Sequence, residues 1–139
     1  QLGLWLRSRG YEDWLIEIGG EILASGKSPM GRPWTVGIQT PDASDDETIS
    51  RFPLQNAALA TSGTYRQRFS HTGKEYSHLI DPRTGFPVES SLVSVSVVAP
   101  SCLLADAYAT ALLILGREQG EPLAKRLDLR VYWIHESSR

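Results

Sequence analysis

The chain has 139 residues, 41% of them apolar and 22% charged, a composition that suits one ordinary globular domain able to bury its own core. Sixteen acidic against fourteen basic residues give a net charge of -2 with no Lys/Arg-rich block, so nucleic acid is not an expected partner. The single cysteine, Cys102, excludes an internal disulfide and a multi-cysteine zinc site.

Gln1 to Arg9 carries Leu2, Leu4, Trp5 and Leu6 before Gly10, which predicts the last turns of a helix with a glycine stop. "WLIEIGG" (Trp14–Gly20) alternates as a strand, "EILASGKSP" continues as a second, and "RPWTVGIQTP" (Arg32–Pro41) is a third closed by Pro41. Asp42 to Ser50, with Asp45, Asp46 and Glu47, is expected as a solvated polar loop. "NAALATSGTY" (Asn56–Tyr65) is a short strand breaking at Ser62-Gly63, and "YRQRFSHTGKEYSHLI" is a hairpin turning at Thr72-Gly73-Lys74. "SLVSVSVVAP" (Ser91–Pro100) alternates apolar residues with serines, a strand wet or partnered on one face. "SCLLADAYATALLILG" (Ser101–Gly116) is a helix, "EQGEPLAKRLDL" a second, and "RVYWIHE" a last strand. The sum is an α+β domain with a largely antiparallel sheet packed with helices.

No signal peptide or membrane span is evident; the longest apolar run, Ala111 to Leu115, is far too short to cross a bilayer. The opening "QLGLWLRSRG", helical from its first residue and without a methionine, reads as the middle of something longer.

Three stretches carry chemistry. The Ser101–Gly116 helix is apolar almost all round, which predicts burial, and its exceptions are Asp106 and Thr110. Spaced i,i+4, they point a carboxylate and a hydroxyl the same way. Asp106 lies too deep to cap the N-terminus, so a carboxylate on a buried helix must be paired, hydrogen-bonded, protonated or bound to a cation. Magnesium suits it, since it takes one or two protein oxygens plus phosphate oxygens. A structural reading competes: Asp106 meets a basic residue, and Thr110 bonds the carbonyl one turn back.

The glycine turns are weaker signals. Gly19-Gly20 before Glu21 marks either a tight turn or the close approach of a ligand, and "TSG" (Thr61–Gly63) offers hydroxyls and backbone N–H groups to an anion. The third stretch, "YSHLIDPRTGFPV" (Tyr76–Val88), is a rigid polar corner. Asp81-Pro82 and Thr84-Gly85 suit a tight turn, with Asp81 bonding the turn's own backbone and His78, Leu79 and Ile80 entering as a strand. His78 either bonds a ligand heteroatom, acts as a base, or ties down the corner. His71 and His135 find no partner at ligand spacing, so zinc is not expected.

Taken together, "IEIGGEILASGKSPMGRPWTVGI", "ALATSGTYR", "YSHLIDPRTGFPV" and "SCLLADAYATALLILG" resemble the ApbE family of FAD:protein FMN transferases, in order, spacing and wording, over nearly the whole chain. The resemblance implies an ApbE-like, T-fold-like half, with residues 1–139 forming the C-terminal portion of a longer transferase domain. It implies FAD as substrate and Mg²⁺ as cofactor, FMN passing to a Thr or Ser hydroxyl of a target flavoprotein, and AMP released. Some members hydrolyse FAD to FMN and AMP instead. Carried onto this chain, Asp106 and Thr110 would ligate magnesium, with Ala109 adding a carbonyl. Asp106 and His78 would serve the chemistry, and His78, Leu79 and Ile80 would touch the flavin nucleotide. Gly19, Gly20, Glu21, Ser62 and Gly63 would line the same cleft. Family members are about twice this length, and their first half supplies a flavin-stacking aromatic residue and a further metal ligand. A homodimer or a separate N-terminal half would complete the site, and a non-catalytic flavin-binding fragment is the third reading. By the same resemblance the expected location is periplasmic, or the inner membrane as a lipoprotein.

Overall fold

A computed structural model describes residues 1–39, 48–65 and 68–135. The elements run α1 (Leu2–Ser8), β1 (Trp14–Ile18), β2 (Glu21–Ser25), β3 (Trp34–Gln39), β4 (Thr48–Leu54) and β5 (Ala57–Gly63). They continue with β6 (Arg68–His71), β7 (Lys74–Ser77), β8 (Ile80–Asp81), β9 (Phe86–Pro87), β10 (Leu92–Ala99), α2 (Cys102–Arg126) and β11 (Arg130–His135). Five strands form the central sheet in the order β1-β2-β5-β10-β11, each neighbouring pair antiparallel. The expected α+β architecture is what the chain adopts.

Strand alternation gives the sheet two apolar faces, and each is covered by a different element. Ala58 and Ala60 of β5 with Val95, Val97 and Ala99 of β10 meet Ala105, Ala109, Leu112 and Leu113 of α2. Alanines on both sides of this contact let the helix approach the sheet closely; Ala58, Ala60, Ala105 and Ala109 are all 0% exposed. On the other face, Ala24 and Leu59 meet Val36 and Ile38 of β3 and Phe52 and Leu54 of β4. The layers are therefore helix, sheet, hairpin.

Two hairpins turn where the glycines predict. Gly19 and Gly20 join β1 to β2 with φ of 66° and 102°, and Thr72-Gly73 joins β6 to β7 with φ of 51° and 79°. Positive φ at both central residues is what a two-residue hairpin turn with the right twist needs. The serine face of β10 is partnered, not wet: Ser94 and Ser96 are buried, and the Ser96 hydroxyl shares a 2.7 Å hydrogen bond with Thr61 Oγ1.

Two expectations are corrected. The polar loop expected over Asp42–Ser50 gives way to β4 from Thr48 onward; residues 42–47, with Asp45, Asp46 and Glu47, lie outside the described residues. Among the described residues β4 pairs only with β3, and it contains Pro53, which an edge strand tolerates. The two helices expected after Pro100 are present as two segments of α2 that meet at a break at Gly116, whose φ of 75° and ψ of 166° are non-helical. Finally, the first half of α2 is not buried all round. Its sheet-facing stripe is buried, but Leu103 is 79% exposed, Leu104 is 41% exposed, and Asp106 and Ala107 are exposed as well. The narrow alanine stripe is what packs; the leucines opposite it point away from this sheet.

Candidate functional site

Where β5 runs out, the polar end of the sheet meets the first half of α2. The Ser101 side chain caps the start of the helix by accepting from the Leu104 N–H at 3.4 Å, and the ladder then sets Asp106 and Thr110 one turn apart. The last residues of β5 come up against that turn. The Ser62 and Thr110 hydroxyls lie 2.7 Å apart in a hydrogen bond that joins strand to helix. Thr110 is thus held by the sheet and not by the carbonyl behind it, against the structural reading of the sequence.

Thr61, Ser62, Gly63, His78, Leu79, Asp106 and Thr110 line one open cleft of about 240 Å³. Six of these are sequence-predicted site residues, drawn from three separate stretches. Thr61 joins them from the "TSG" stretch, where its hydroxyl was legible. Asp106 makes no hydrogen bond and no ion pair among the described residues, so the basic partner of the structural reading is not there. An exposed carboxylate needs no such partner, because water solvates it. Its charge does reach its surroundings: Cys102, one turn earlier, has its thiol pKa pushed up mainly by burial, then by the negative charge of Glu21 and, less, of Asp106. Half-buried, with its Sγ 3.7 Å from the Ile22 carbonyl oxygen, Cys102 is a packed thiol and not a reactive one.

The other named residues lie elsewhere. Gly19, Gly20 and Glu21 form the β1–β2 turn and do not line the cleft, although Glu21 lies close enough to Cys102 to act on it. Ile80 opens β8, pairs with Pro87 and is exposed. Ala109 is fully buried against the sheet, directly before Thr110 on α2. Gly63 lines the cleft, but its lack of a side chain has a local cause: a Cβ there would sit 2.5 Å from Tyr65 Cε1.

His78 and Leu79 reach the cleft from the Asp81 corner, which is a hairpin of β8 and β9. Gly85, with φ of 75°, donates its N–H to the Asp81 carbonyl at 2.8 Å, and Val88 donates to the Leu79 carbonyl at 2.8 Å. As the sequence predicts, Asp81 bonds its own turn, accepting from the Arg83 N–H at 2.9 Å.

The chemistry of the donor set suits a hard cation. Asp106, Thr110, Ser62 and Thr61 present only oxygen, with one carboxylate among them. No group of three His, Cys, Asp or Glu side chains that could hold a metal occurs among the described residues. A cation here would have to draw its remaining ligands from hydroxyls, water and phosphate, which is how magnesium binds and zinc does not.

Comparison with known proteins returns one consistent answer. The sequence model of the ApbE family matches residues 1–133. An FAD:protein FMN transferase of Vibrio cholerae is 39% identical over 130 residues, covering 94% of this chain and 39% of that protein. One of Haemophilus influenzae is 38% identical over 124 residues, covering 88% of this chain and 36% of that protein. Among solved structures, the flavin transferase ApbE from Vibrio cholerae superimposes with a TM-score of 0.81 at 37% identity, over 99% of this chain and 43% of that one. The apo flavinyl transferase ApbE of Pseudomonas stutzeri gives 0.81 at 36% identity, over 99% and 42%. The chain therefore spans well under half the length of these relatives and matches their C-terminal portion.

Proposed function

The chain belongs to the ApbE family, and on that premise we propose that its cleft is the metal- and phosphate-binding half of an FAD:protein FMN transferase site. The observation that carries the reading is the cleft itself. It gathers a carboxylate without a partner among the described residues, Asp106, a strand-anchored hydroxyl pair, Ser62 and Thr110, and an imidazole, His78, around one opening.

In the proposed reaction a threonine or serine hydroxyl of a target flavoprotein attacks the FMN-side phosphorus of FAD. The new phosphoester P–O bond forms as the phosphoanhydride bond breaks, and AMP departs with the bridging oxygen. Magnesium would supply neutralisation of the pyrophosphate charge as it gathers on the departing AMP. Asp106 provides the carboxylate that holds such a cation, and Thr110 adds a hydroxyl oxygen one turn on. Because Ser62 and Thr110 share one hydrogen bond, each keeps lone-pair capacity toward the cleft. His78, which lines the same cleft, accepts the proton of the attacking hydroxyl, and Leu79 beside it gives the nucleotide an apolar surface.

The test is incubation of the chain with FAD, Mg²⁺ and an unflavinylated flavoprotein of the kind that carries phosphoester-linked FMN. Flavin fluorescence on that protein after denaturation, with AMP released in equal amount, is the expected result. Free FMN and AMP without labelled protein would make the chain a hydrolase of the same bond. FAD binding with neither product would leave it a binding module.

A further inference from the structure

The corner carries more polar contact than a turn of its size requires, and most of it converges on Arg83. Its Nε donates to both Asp81 carboxylate oxygens at 2.9 and 3.1 Å, and its Nη2 donates to Oδ2 at 2.7 Å. Nη1 donates to Gln119 Oε1 at 2.7 Å, and Nη2 also reaches the Ile114 carbonyl at 3.4 Å. Those last two acceptors flank Gly116. The break there strips the last turn of the first helical segment of its intrahelical partners, and Arg83 meets one of the stranded carbonyls.

The spacing along both chains gives this clamp a consequence. Ile114 lies one helical turn, about 6 Å, beyond Thr110. Asp81 lies three residues beyond His78. One rigid guanidinium therefore links the helix that carries Asp106 and Thr110 to the hairpin that carries His78 and Leu79. The pair it makes with Asp81 is partly solvated, with Arg83 at 47% exposure, so it adds little to global stability. What it fixes is a relative position.

We infer that Arg83 is a positioning residue, a clamp between the β8–β9 corner and the bend of α2 that holds the two walls of the cleft at a set distance. This rests on reading the cleft as a nucleotide site, and the requirement is for a planar fork, since a lysine keeps the charge but cannot span Asp81, Gln119 and a helix carbonyl at once.

Three variants test it: Arg83→Ala, Arg83→Lys and Gln119→Ala, each followed by thermal melting, by NMR of the His78 imidazole and the Val88 amide, and by titration with FAD and Mg²⁺. Arg83→Ala should leave the melting midpoint nearly unchanged while shifting or broadening the His78 signals and speeding Val88 exchange. FAD affinity in the presence of Mg²⁺ should fall about tenfold, the scale seen when a residue that supports a binding site from behind is removed. Arg83→Lys should behave like the alanine variant, and Gln119→Ala should fall between. Unchanged His78 and Val88 signals in Arg83→Ala, or full rescue by lysine, would overturn the inference. Should the wild-type chain fail to bind FAD with Mg²⁺, the nucleotide reading falls on that result, and the clamp is judged by the NMR signals alone.

Discussion

At the corner, Asp81 and Arg83 close on each other and on Gln119, so the charges there are consumed by partners within the fold. In the cleft next to it, Asp106 stands on the helix that also carries Gln119, with no hydrogen bond or ion pair among the described residues, in a lining it shares with hydroxyls and an imidazole. Both regions are polar and both sit on α2, yet they differ in what their charged groups still lack. A satisfied cluster is architecture: it spends its hydrogen bonds on holding elements together. A carboxylate left open beside other oxygen donors has its capacity in reserve for a ligand.

That contrast can be attacked through the element both regions share. Leu112 is fully buried between α2 and the sheet, so Leu112→Ala should cost about 2–5 kcal/mol in denaturant melting. Cleft and corner should lose order together; loss of one without the other would show that α2 does not couple them. Next in size is Gly116→Ala. Its φ of 75° and ψ of 166° fall in a region open essentially to glycine alone, and nothing lies within 4 Å of the added Cβ. The expected cost, about 1–3 kcal/mol, is therefore conformational. It should be seen first as loss of the Arg83–Gln119 contact.

Acid should separate the two regions more gently. The Arg83 hydrogen bonds lower the Asp81 pKa from its ordinary 3.8. A depressed folded pKa means the clamp's contribution is present above that ordinary value and is lost as pH falls through the lower folded one. The Arg83 amide shift should thus be flat from neutral pH down to the ordinary carboxylate range and move only below it. Movement at near-neutral pH would contradict the assignment of Asp81 as the acceptor.

Much of the fold was legible because local pattern and tertiary role agree. The valine–serine alternation of β10, the glycine turns at Gly19-Gly20 and Thr72-Gly73, and the helix start after Pro100 each have a local cause. β4 was missed because its inward pair, Phe52 and Leu54, is short and straddles Pro53, a residue that argues against a strand unless the strand lies on an edge. The burial of α2 was overread for a different reason. Leu103 and Leu104 are apolar like Leu112 and Leu113, and sequence alone does not say which apolar stripe a sheet will choose; the alanines Ala105 and Ala109 decided it by allowing close approach. At the site, the i,i+4 spacing of Asp106 and Thr110 was readable, and the cleft adds the Ser62 hydroxyl that anchors Thr110. The contacts of Arg83 with Gln119 and Ile114 were not readable. They join positions more than thirty residues apart, and although Gly116 marks the helix break, nothing in the sequence says which side chain will meet the carbonyls beside it.

The measurement closest to the central claim is calorimetric titration of FAD into the chain and its Asp106→Asn variant, each with and without Mg²⁺. Asp106 is exposed and has no partner among the described residues, so the substitution should change folding stability by no more than about 0.5 kcal/mol. Wild-type binding should strengthen with Mg²⁺, and the variant should lose that gain, at least about tenfold in affinity. Equal binding by both proteins, or binding indifferent to Mg²⁺, would contradict the reading of the open carboxylate as the metal's anchor.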